Sequence, residues 1–305
     1  MHDSNAVESR MTSIGMATSH AGEILQGALR RGASTQRLLL SLPAPAFWSR
    51  AEVVRTPGCP FSVYPSRSTK AYAGACRLLA HLDLDHPDVR VQLTTNIPVG
   101  KGCGSSTTDI LATMRALLAH TGRHLEEEVL ARLIVNVEEA SDGSVLSHPA
   151  LFRHREGIVE EYMPEAFPSM RVLVVDAQPS DAVDTLELTR PRYSHTQLSV
   201  FADLVAELRC AFRSRNPFRL GAVATASARI SQQYLPKPHF DTFVSLVKRV
   251  GGYGVSVSHS GTVMSALLPA AGPCSREEVV AEETRGLGMR TLTRYVLDGA
   301  SVVVP

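Results

Sequence analysis

Three glycines and a group of hydroxyl side chains stand at positions 100 to 107, directly before an apolar segment of helical periodicity at residues 110–119. Gly100, Gly102 and Gly104 leave the backbone bare where it would approach a polyphosphate, and they tolerate the positive φ angles that point successive N–H groups at one place. A helix that begins just after them adds partial positive charge there. The spacing therefore predicts a phosphate-binding loop that leads into a helix.

The side chains of this loop supply one charge and several hydroxyl oxygens. Lys101 can neutralise phosphate charge. Ser105, Ser106 and Thr107 can cap the helix or bind a phosphate-bound Mg²⁺. The segment is not a Walker A loop, which needs Lys followed by Ser or Thr, and its third glycine has the wrong spacing for a Rossmann fingerprint. An ordinary capped loop between a strand and a helix is the alternative.

Two acidic side chains stand three positions apart in residues 137–143, Val-Glu-Glu-Ala-Ser-Asp-Gly. At this spacing Glu139 and Asp142 share a helix face or a helix end, and they repel each other unless a cation or a proton lies between them. A Mg²⁺ ion on nucleotide phosphates is one such cation, and it leaves the second carboxylate to receive or orient a hydroxyl proton. The alternative is a solvated helix end with Asp142 and Gly143 in a turn.

Two further segments combine glycines with polar side chains. Residues 19–27 read Ser-His-Ala-Gly-Glu-Ile-Leu-Gln-Gly, which by itself favours an edge strand between two turns. Residues 251–262 read Gly-Gly-Tyr-Gly-Val-Ser-Val-Ser-His-Ser-Gly-Thr, a second glycine-rich turn that enters a strand. His259 invites a catalytic role, although a lone histidine near a strand end is more often structural. The segment lacks the glycines of a nucleophile elbow, which argues against a serine hydrolase.

The composition indicates a globular protein that handles small molecules. The 305 residues are 44% hydrophobic, enough for a full core, and the formal net charge of +1 gives no field for a nucleic acid or an acidic membrane surface. The five cysteines are scattered and form no Cys-x-x-Cys pair, so we predict neither a disulfide framework nor a zinc site. A reducing cytoplasm fits this best, and we expect neither an export signal nor a membrane span.

The pattern of secondary structure suggests a tail and two domains. Residues 1–13 have the polar composition of a mobile tail, and prolines at 164 and 168 interrupt the pattern before a strand-like run. We therefore predict domains at 14–168 and 169–305. Because strands and helices follow without a regular βαβ alternation, we predict an α+β fold. The predicted helices cover 68–82, 110–119, 125–137, 196–213, 218–234 and 241–250, and the predicted strands cover 37–42, 51–54, 89–94, 171–176, 254–257, 263–268 and 290–296.

The order of these segments resembles the GHMP kinase family, whose central motif is Pro-x-x-x-Gly-x-Gly-Ser-Ser-Ala. Residues 98–107, Pro-Val-Gly-Lys-Gly-Cys-Gly-Ser-Ser-Thr, keep its proline, glycine and double-serine pattern. Residues 19–27 and 251–262 would be its first and third motifs. Within the family, these motifs are most similar to the bacterial L-threonine kinases of cobalamin synthesis and propanediol utilisation. The resemblance implies a two-domain α+β architecture, with a ribosomal-protein-like N-terminal domain, a ferredoxin-like C-terminal domain and ATP between them.

The resemblance also implies roles for individual residues. Ser106 and Glu139 would hold Mg²⁺, and Asp142 would face the substrate hydroxyl. Lys101 would assist catalysis by neutralising phosphate charge. The implied ATP-binding residues are Pro98, Gly100, Lys101, Gly102, Cys103, Gly104, Ser105, Ser106 and Thr107. The implied acceptor-binding residues are His20, Gly22, Glu23, Gln26, Ser258, His259, Ser260 and Gly261.

The resulting hypothesis is a Mg²⁺-assisted, ATP-dependent kinase that phosphorylates the side-chain hydroxyl of a hydroxy amino acid, with L-threonine as the best single acceptor. The first motif departs from the family in two ways: it lacks the lysine of mevalonate kinases, and Ser-His-Ala precedes Gly22 where the threonine kinases have a cysteine. A homoserine or amino-alcohol kinase therefore stays open, as does a non-catalytic sensor on the same scaffold. The expected partner is a small hydroxy amino acid, without nucleic acid or membrane, and a homodimer is compatible with the resemblance.

Overall fold

The computed structural model describes residues 13–32, 34–180, 191–272 and 275–299. Nearly all of the predicted tail, residues 1–12, and the last positions of the predicted C-terminal domain, 300–305, lie outside these ranges. Over the four ranges the chain is an α+β fold, as predicted. None of the helices in them combines the length and the apolar character that crossing a membrane requires.

A single sheet of ten strands runs through the described chain. Its strands are β1 (Ser13–Arg31), β2 (Ser34–Arg55), β3 (Ser62–Tyr64), β4 (Val89–Thr95), β5 (Ala150–Arg153), β6 (Ile158–Tyr162), β7 (Met170–Asp176), β8 (Gly254–Val257), β9 (Val263–Pro269) and β10 (Arg290–Leu297). The order across the sheet is β10-β7-β9-β8-β1-β2-β4-β3, and β5 branches from β2 to pair with β6. Only β3 and β4 pair in parallel; the other pairs are antiparallel.

Seven α-helices pack on this sheet in the described ranges. They are α1 (Thr69–His81), α2 (Ser105–Thr121), α3 (Glu127–Glu138), α4 (His195–Arg213), α5 (Pro217–Ser231), α6 (Phe240–Arg249) and α7 (Ser275–Gly286). Local signals set several of their ends: Ser194 and Gln197 form a capping box for α4, and Asn216 caps α5 with Pro217 in its first turn. The six predicted helices are confirmed, whereas α7, β3, β5 and β6 were not predicted.

The first strand lies in the middle of the sheet, which corrects the expectation of an edge strand at residues 19–27. β1 pairs with β2 along one side and meets β8 on the other, where Glu23 is opposite Val257. Every residue from Ser19 to Leu29 is buried, because α2, α4 and α5 pack on this strand. A strand that is buried on both faces shows no alternation of polar and apolar residues, so the sequence pattern does not reveal that it is a central strand.

The hydrophobic core is continuous across the predicted domain boundary. One cluster of buried side chains combines Leu40 and Leu151 from the first predicted domain with Val172 and Phe201 from the second. A second cluster lies under α1, α2 and α3, and a third lies under α6 and α7. The division at residue 168 therefore stays a prediction. β1 and β2 lie between β8 and β4 in the sheet, and the β4–α2 connection contacts the β8–β9 connection directly.

Candidate active site

The glycine loop has the backbone conformation that its sequence predicts. Gly100, Gly102 and Gly104 have φ angles of 71°, 79° and 67°, and α2 begins at the next residue. The predicted hydroxyl cap is wrong: Gly104 is the N-cap, and no side chain accepts from the first turn. The first-turn N–H groups of α2 therefore have no side-chain cap, and such groups with their helix dipole are a site for an anion.

Two other segments press against these glycines. A Cβ atom at Gly102 would overlap the carbonyl oxygen of Ser260 and lie 2.8 Å from Cβ of Ser258. A Cβ atom at Gly104 would overlap Oδ2 of Asp142 and lie 2.7 Å from Cδ2 of His20. The three motif segments and Asp142, distant in sequence, thus meet at one corner, and glycine is required there by close approach as well as by φ.

Asp142 is buried beside the start of α2 rather than solvated at a helix end. It stands in extended backbone (φ −117°, ψ 174°) before a 3-10 turn at Gly143–Val145, and it is only 7% exposed. Its Oδ1 accepts hydrogen bonds from the backbone N–H and the hydroxyl of Ser144. Because α3 ends at Glu138 and Glu139 has a left-handed φ of 61°, Asp142 and Glu139 do not share a helix face as the spacing suggested.

His20 lies between two carboxylates. Its Nε2 is 3.4 Å from Oδ2 of Asp142, and its Nδ1 is 3.3 Å from Oε1 of Glu23. All three side chains are buried, because β1 runs through the middle of the sheet.

This arrangement shifts the three pKa values. Burial lowers the pKa of His20, but the charges of Asp142 and Glu23 outweigh it and raise this pKa to about 9. Burial raises the pKa of Glu23 to about 7. Burial also favours neutral Asp142, yet the charge and hydrogen bond of His20 prevail and lower the Asp142 pKa below its ordinary value. At neutral pH the corner therefore holds an imidazolium and an ionised Asp142, which can accept a hydrogen bond from a hydroxyl.

Lys101 lies in a buried ion pair with the last residue of β7. Its Nζ is 2.9 Å from Oδ2 of Asp176, and it donates to the carbonyls of Gln178 (2.9 Å) and Pro179 (3.1 Å). Asp176 is fully buried and also accepts the hydroxyl of Thr262 at 2.5 Å. The backbone N–H of Thr262 donates to the carbonyl of Lys101 at 3.1 Å. Asp176 thus ties the glycine loop to the β8–β9 connection, and a phosphate contact by Lys101 stays a prediction.

The acidic end of α3 meets the first turn of α2. The hydroxyl of Thr107 donates to Oε2 of Glu138 at 2.8 Å, and Lys70 pairs with the other oxygen at 3.0 Å. Ser106, the preceding residue, is half-buried, and Glu139 is exposed. A hydroxyl and carboxylates are oxygen donors that suit Mg²⁺, so the metal assignment of Ser106 and Glu139 stays a prediction.

The remaining residues predicted to bind the acceptor lie in two places, some at the corner beside the glycine loop and others within the sheet. Gly22, with φ 89°, packs against the backbone of Val257, and Gly261 packs against the carbonyl group of Lys101. Gln26 holds β1 in place instead, because its Nε2 donates to the carbonyl of Val257 at 3.0 Å. The ring of His259 lies 5.2 Å from that of His154, centroid to centroid.

Sequence reasoning missed four residues that the structure brings to this region: Glu138, His154, Asp176 and Lys237. Asp176 carried a usable signal, since an acid closed an otherwise apolar predicted strand. The other three are ordinary polar residues in sequence, and only the fold gives them neighbours.

Comparison with known proteins agrees with this geometry. The family model described as the GHMP kinases N-terminal domain matches residues 69–150, which include the glycine loop and Asp142. The chain is 34% identical over 261 residues to an L-threonine kinase of Citrobacter freundii, covering 84% of this chain and 86% of that protein. It is 37% identical over 199 residues to an L-threonine kinase of Salmonella typhimurium, covering 63% and 65%.

A solved structure gives the same fold. The crystal structure of a homoserine kinase from Cytophaga hutchinsonii superposes with a TM-score of 0.67 at 14% identity, over 95% of this chain and 96% of that one. Three observations agree: the order of the motifs, the packing of the glycine loop against a buried aspartate, and the long alignment to a relative. The chain belongs to the GHMP kinase family.

Proposed function

We propose that the protein is an ATP-dependent kinase that phosphorylates the side-chain hydroxyl of L-threonine, giving O-phospho-L-threonine and ADP. The observation that carries this is the contact between the start of α2 and Asp142, which a Cβ at Gly104 would overlap. It puts an anion-binding backbone beside a carboxylate suited to orient a hydroxyl. Two relatives that align with most of the chain are named L-threonine kinases, which supports the choice of acceptor.

The glycine loop and the first turn of α2 would bind the triphosphate. Residues 98–107 supply backbone N–H groups at left-handed glycines and a helix N-terminus without a side-chain cap. Lys101, held by Asp176, fixes the loop and adds positive charge to it. Phosphoryl transfer depends mainly on positioning and charge stabilisation, so a loop fixed from two sides suits it.

A Mg²⁺ ion fits the oxygen donors at this corner. Ser106 and Glu139 would hold it, and the Thr107–Glu138 hydrogen bond keeps the acidic end of α3 against this turn. In the part of the chain that the structure describes, His, Cys, Asp and Glu side chains form no ready group of three. Mg²⁺ does not need one, because one or two carboxylates, phosphate oxygens and water complete its shell. Bound there, it would neutralise charge on the phosphates.

Asp142 would act on the acceptor. Its ionised carboxylate orients the hydroxyl and takes up its proton as the oxygen attacks the γ-phosphorus and the bond to ADP breaks. His20 keeps this carboxylate charged in spite of its burial. Glu23 backs the imidazolium from its other nitrogen.

Homoserine is the second candidate acceptor. A homoserine kinase of Thermotoga petrophila is 42% identical over 59 residues, 19% of this chain. Both acceptors use the same transfer chemistry and differ in the position of the hydroxyl. For location we propose the cytoplasm, because the described cysteines, Cys59, Cys76, Cys103 and Cys210, are all free thiols.

The test is product identification with the purified full chain. The protein is incubated with ATP, Mg²⁺ and one acceptor at a time: L-threonine, L-serine, L-homoserine or 1-amino-2-propanol. We expect ADP and a phosphorylated amino acid of the mass of O-phosphothreonine, with L-threonine giving the highest kcat/KM. A higher kcat/KM with homoserine would replace the acceptor, and ATP binding without any phosphorylated product would contradict the kinase.

A further inference from the structure

Five basic side chains lie within electrostatic range of one another next to the candidate active site. This basic cluster consists of Arg37, His154, Arg155, Lys237 and His259, which come from β2, the turn after β5, the segment between α5 and α6, and the β8–β9 connection. The rings of His154 and His259 lie 5.2 Å apart and are tilted by 56°. Arg37 is held in place, because its Nη2 donates to the carbonyl of Pro191 at 2.5 Å and its guanidinium lies over the Tyr193 ring.

Two members of the basic cluster, His154 and Lys237, are buried and have few hydrogen-bond partners among the described residues. His154 is 4% exposed, and among the residues that the structure describes neither of its ring nitrogens has a hydrogen-bond partner. Lys237 is 6% exposed, and its Nζ reaches one carbonyl, that of Leu235, at 3.5 Å. A buried polar group without partners costs free energy that a bound ligand can recover.

The neighbouring groups whose charges shift the pKa values of the His154 and His259 rings are all basic. Burial first, and then the charges of Arg155, Lys237, Arg37 and His20, lower the pKa of His259 to about 4. Burial and the same kind of neighbours hold the pKa of His154 well below its ordinary value. Burial lowers the pKa of Lys237 to about 8. An anion among them would relieve this repulsion and gain several charge-assisted hydrogen bonds.

The basic cluster adjoins the residues that would handle the acceptor. The backbone N–H of Ser141, next to Asp142, donates to the carbonyl of His154 at 2.8 Å. His259 precedes Ser260, whose carbonyl oxygen faces Gly102. An anionic group of the acceptor could therefore be held here while its hydroxyl lies at Asp142.

We propose that the basic cluster is the binding site for the carboxylate of the acceptor amino acid, with Lys237 as a direct contact. The inference rests on the proposed function and deepens it, because it makes the acceptor an α-amino acid rather than an amino alcohol. The same chemistry would suit a phosphate of the nucleotide. The acceptor is favoured because the glycine loop and the α2 N-terminus already offer N–H groups to the phosphates.

The test compares an acceptor that has this carboxylate with one that lacks it. L-threonine and L-threoninamide have the same hydroxyl and α-amino positions, but a neutral carboxamide replaces the carboxylate in L-threoninamide. With the wild-type full chain we expect kcat/KM for L-threonine to exceed that for L-threoninamide on the order of 100-fold. Equal values would overturn the carboxylate site while leaving the kinase intact, and no phosphothreonine at all would overturn the proposed function together with this inference.

A variant then assigns the preference to the basic cluster. Lys237→Met should lower the ratio of the two kcat/KM values at least about 10-fold, with the KM for ATP unchanged. Lys248→Met, an exposed lysine on α6, is the matched control and should keep the wild-type ratio. If Lys237→Met instead raises the KM for ATP, or lowers kcat/KM equally for both acceptors, the site is not a carboxylate site. Should the variant fail to fold, the wild-type comparison still tests whether the protein recognises the carboxylate of the acceptor.

Discussion

Nζ of Lys101 lies 2.9 Å from Oδ2 of Asp176, in an ion pair that is almost wholly buried. It joins the glycine loop to the end of β7, and Thr262 joins the β8–β9 connection to the same carboxylate. The loop is therefore fixed by residues that come 75 and 161 positions after Lys101 in the chain. Such fixing keeps the phosphate-binding N–H groups in one arrangement before ATP arrives.

Asp176→Asn should destabilise the protein and loosen the loop. Loss of one partner leaves the ammonium of Lys101 buried without its counter-charge, so the free energy of unfolding should fall by about 3 kcal/mol. Urea unfolding measures this, with Asp203→Asn, an exposed aspartate on α4, as the control. The KM for ATP should rise in both Asp176→Asn and Lys101→Met. A rise in the Lys101 variant alone would instead indicate direct phosphate contact by Lys101.

Gly102→Ala should impair ATP binding beyond its cost in backbone strain. The new Cβ would overlap the Ser260 carbonyl and push the loop away from the β8–β9 connection. Gly58→Ala is a close control, because Gly58 has a similar φ of 73° with nothing within 4 Å of an added Cβ. Each variant should lose about 1 kcal/mol of stability from the left-handed backbone. Calorimetric titration with ATP should show weaker binding only for Gly102→Ala; equal affinities would mean that the loop is not part of the nucleotide site.

Asp142→Asn should reduce turnover far more than nucleotide binding. The amide cannot take up the proton of the hydroxyl, so kcat should fall by about 10²- to 10⁴-fold. The Kd of ATP should change little, because Asp142 faces the acceptor in the proposed arrangement. Steady-state kinetics and calorimetry separate the two effects. Wild-type turnover in Asp142→Asn would remove its assigned role.

His20→Gln should move the acidic limb of the pH profile. Without the imidazolium, only the two hydrogen bonds from Ser144 oppose the effect of burial on Asp142, so its pKa should rise and kcat/KM should begin to fall at a higher pH than in the wild type. Profiles from pH 5 to pH 9 test this, with His81→Gln on the exposed end of α1 as the control. A general loss of activity without a shift of the limb would indicate a purely structural role.

The contribution of Glu23 and His20 to stability should decrease as the pH rises from about 5 to about 9. The folded-state pKa values of Glu23 and His20, about 7 and about 9, both lie above their ordinary values of 4.5 and 6.5. The folded protein therefore binds extra protons in this window, and their stabilising effect is lost as the pH passes through the two folded pKa values. Each of the two groups contributes on the order of 3 kcal/mol, so the combined loss should be about 5 kcal/mol. Urea unfolding at pH 5, 7 and 9 should show the stability of the wild type falling relative to that of the double variant Glu23→Gln, His20→Gln, because the lowered pKa values of His154, His259 and Lys237 act in both proteins. A difference that stays constant with pH would contradict the assignment.

The sequence predicted the local parts of the site well. The left-handed glycines and the helix after them depend on backbone preferences and periodicity, which act over a few residues. The same holds for the seven predicted helices and strands between residues 171 and 296. The fold class followed from the order of these elements. β1 was misjudged as an edge strand because burial on both faces erased its alternation.

The neighbours of each functional side chain were decided by tertiary structure. Sequence spacing paired Glu139 with Asp142 on one helix, but the turn at Glu139 separates them and the fold places Asp142 against His20 instead. Lys101 has a partner 75 positions away, and the basic cluster has members from four parts of the chain. Sequence by itself thus determined which backbone can bind a phosphate and which residue types are at hand. Only the packed sheet decided which charges meet, because electrostatic contact depends on distance in space and burial, and neither is encoded by separation along the chain.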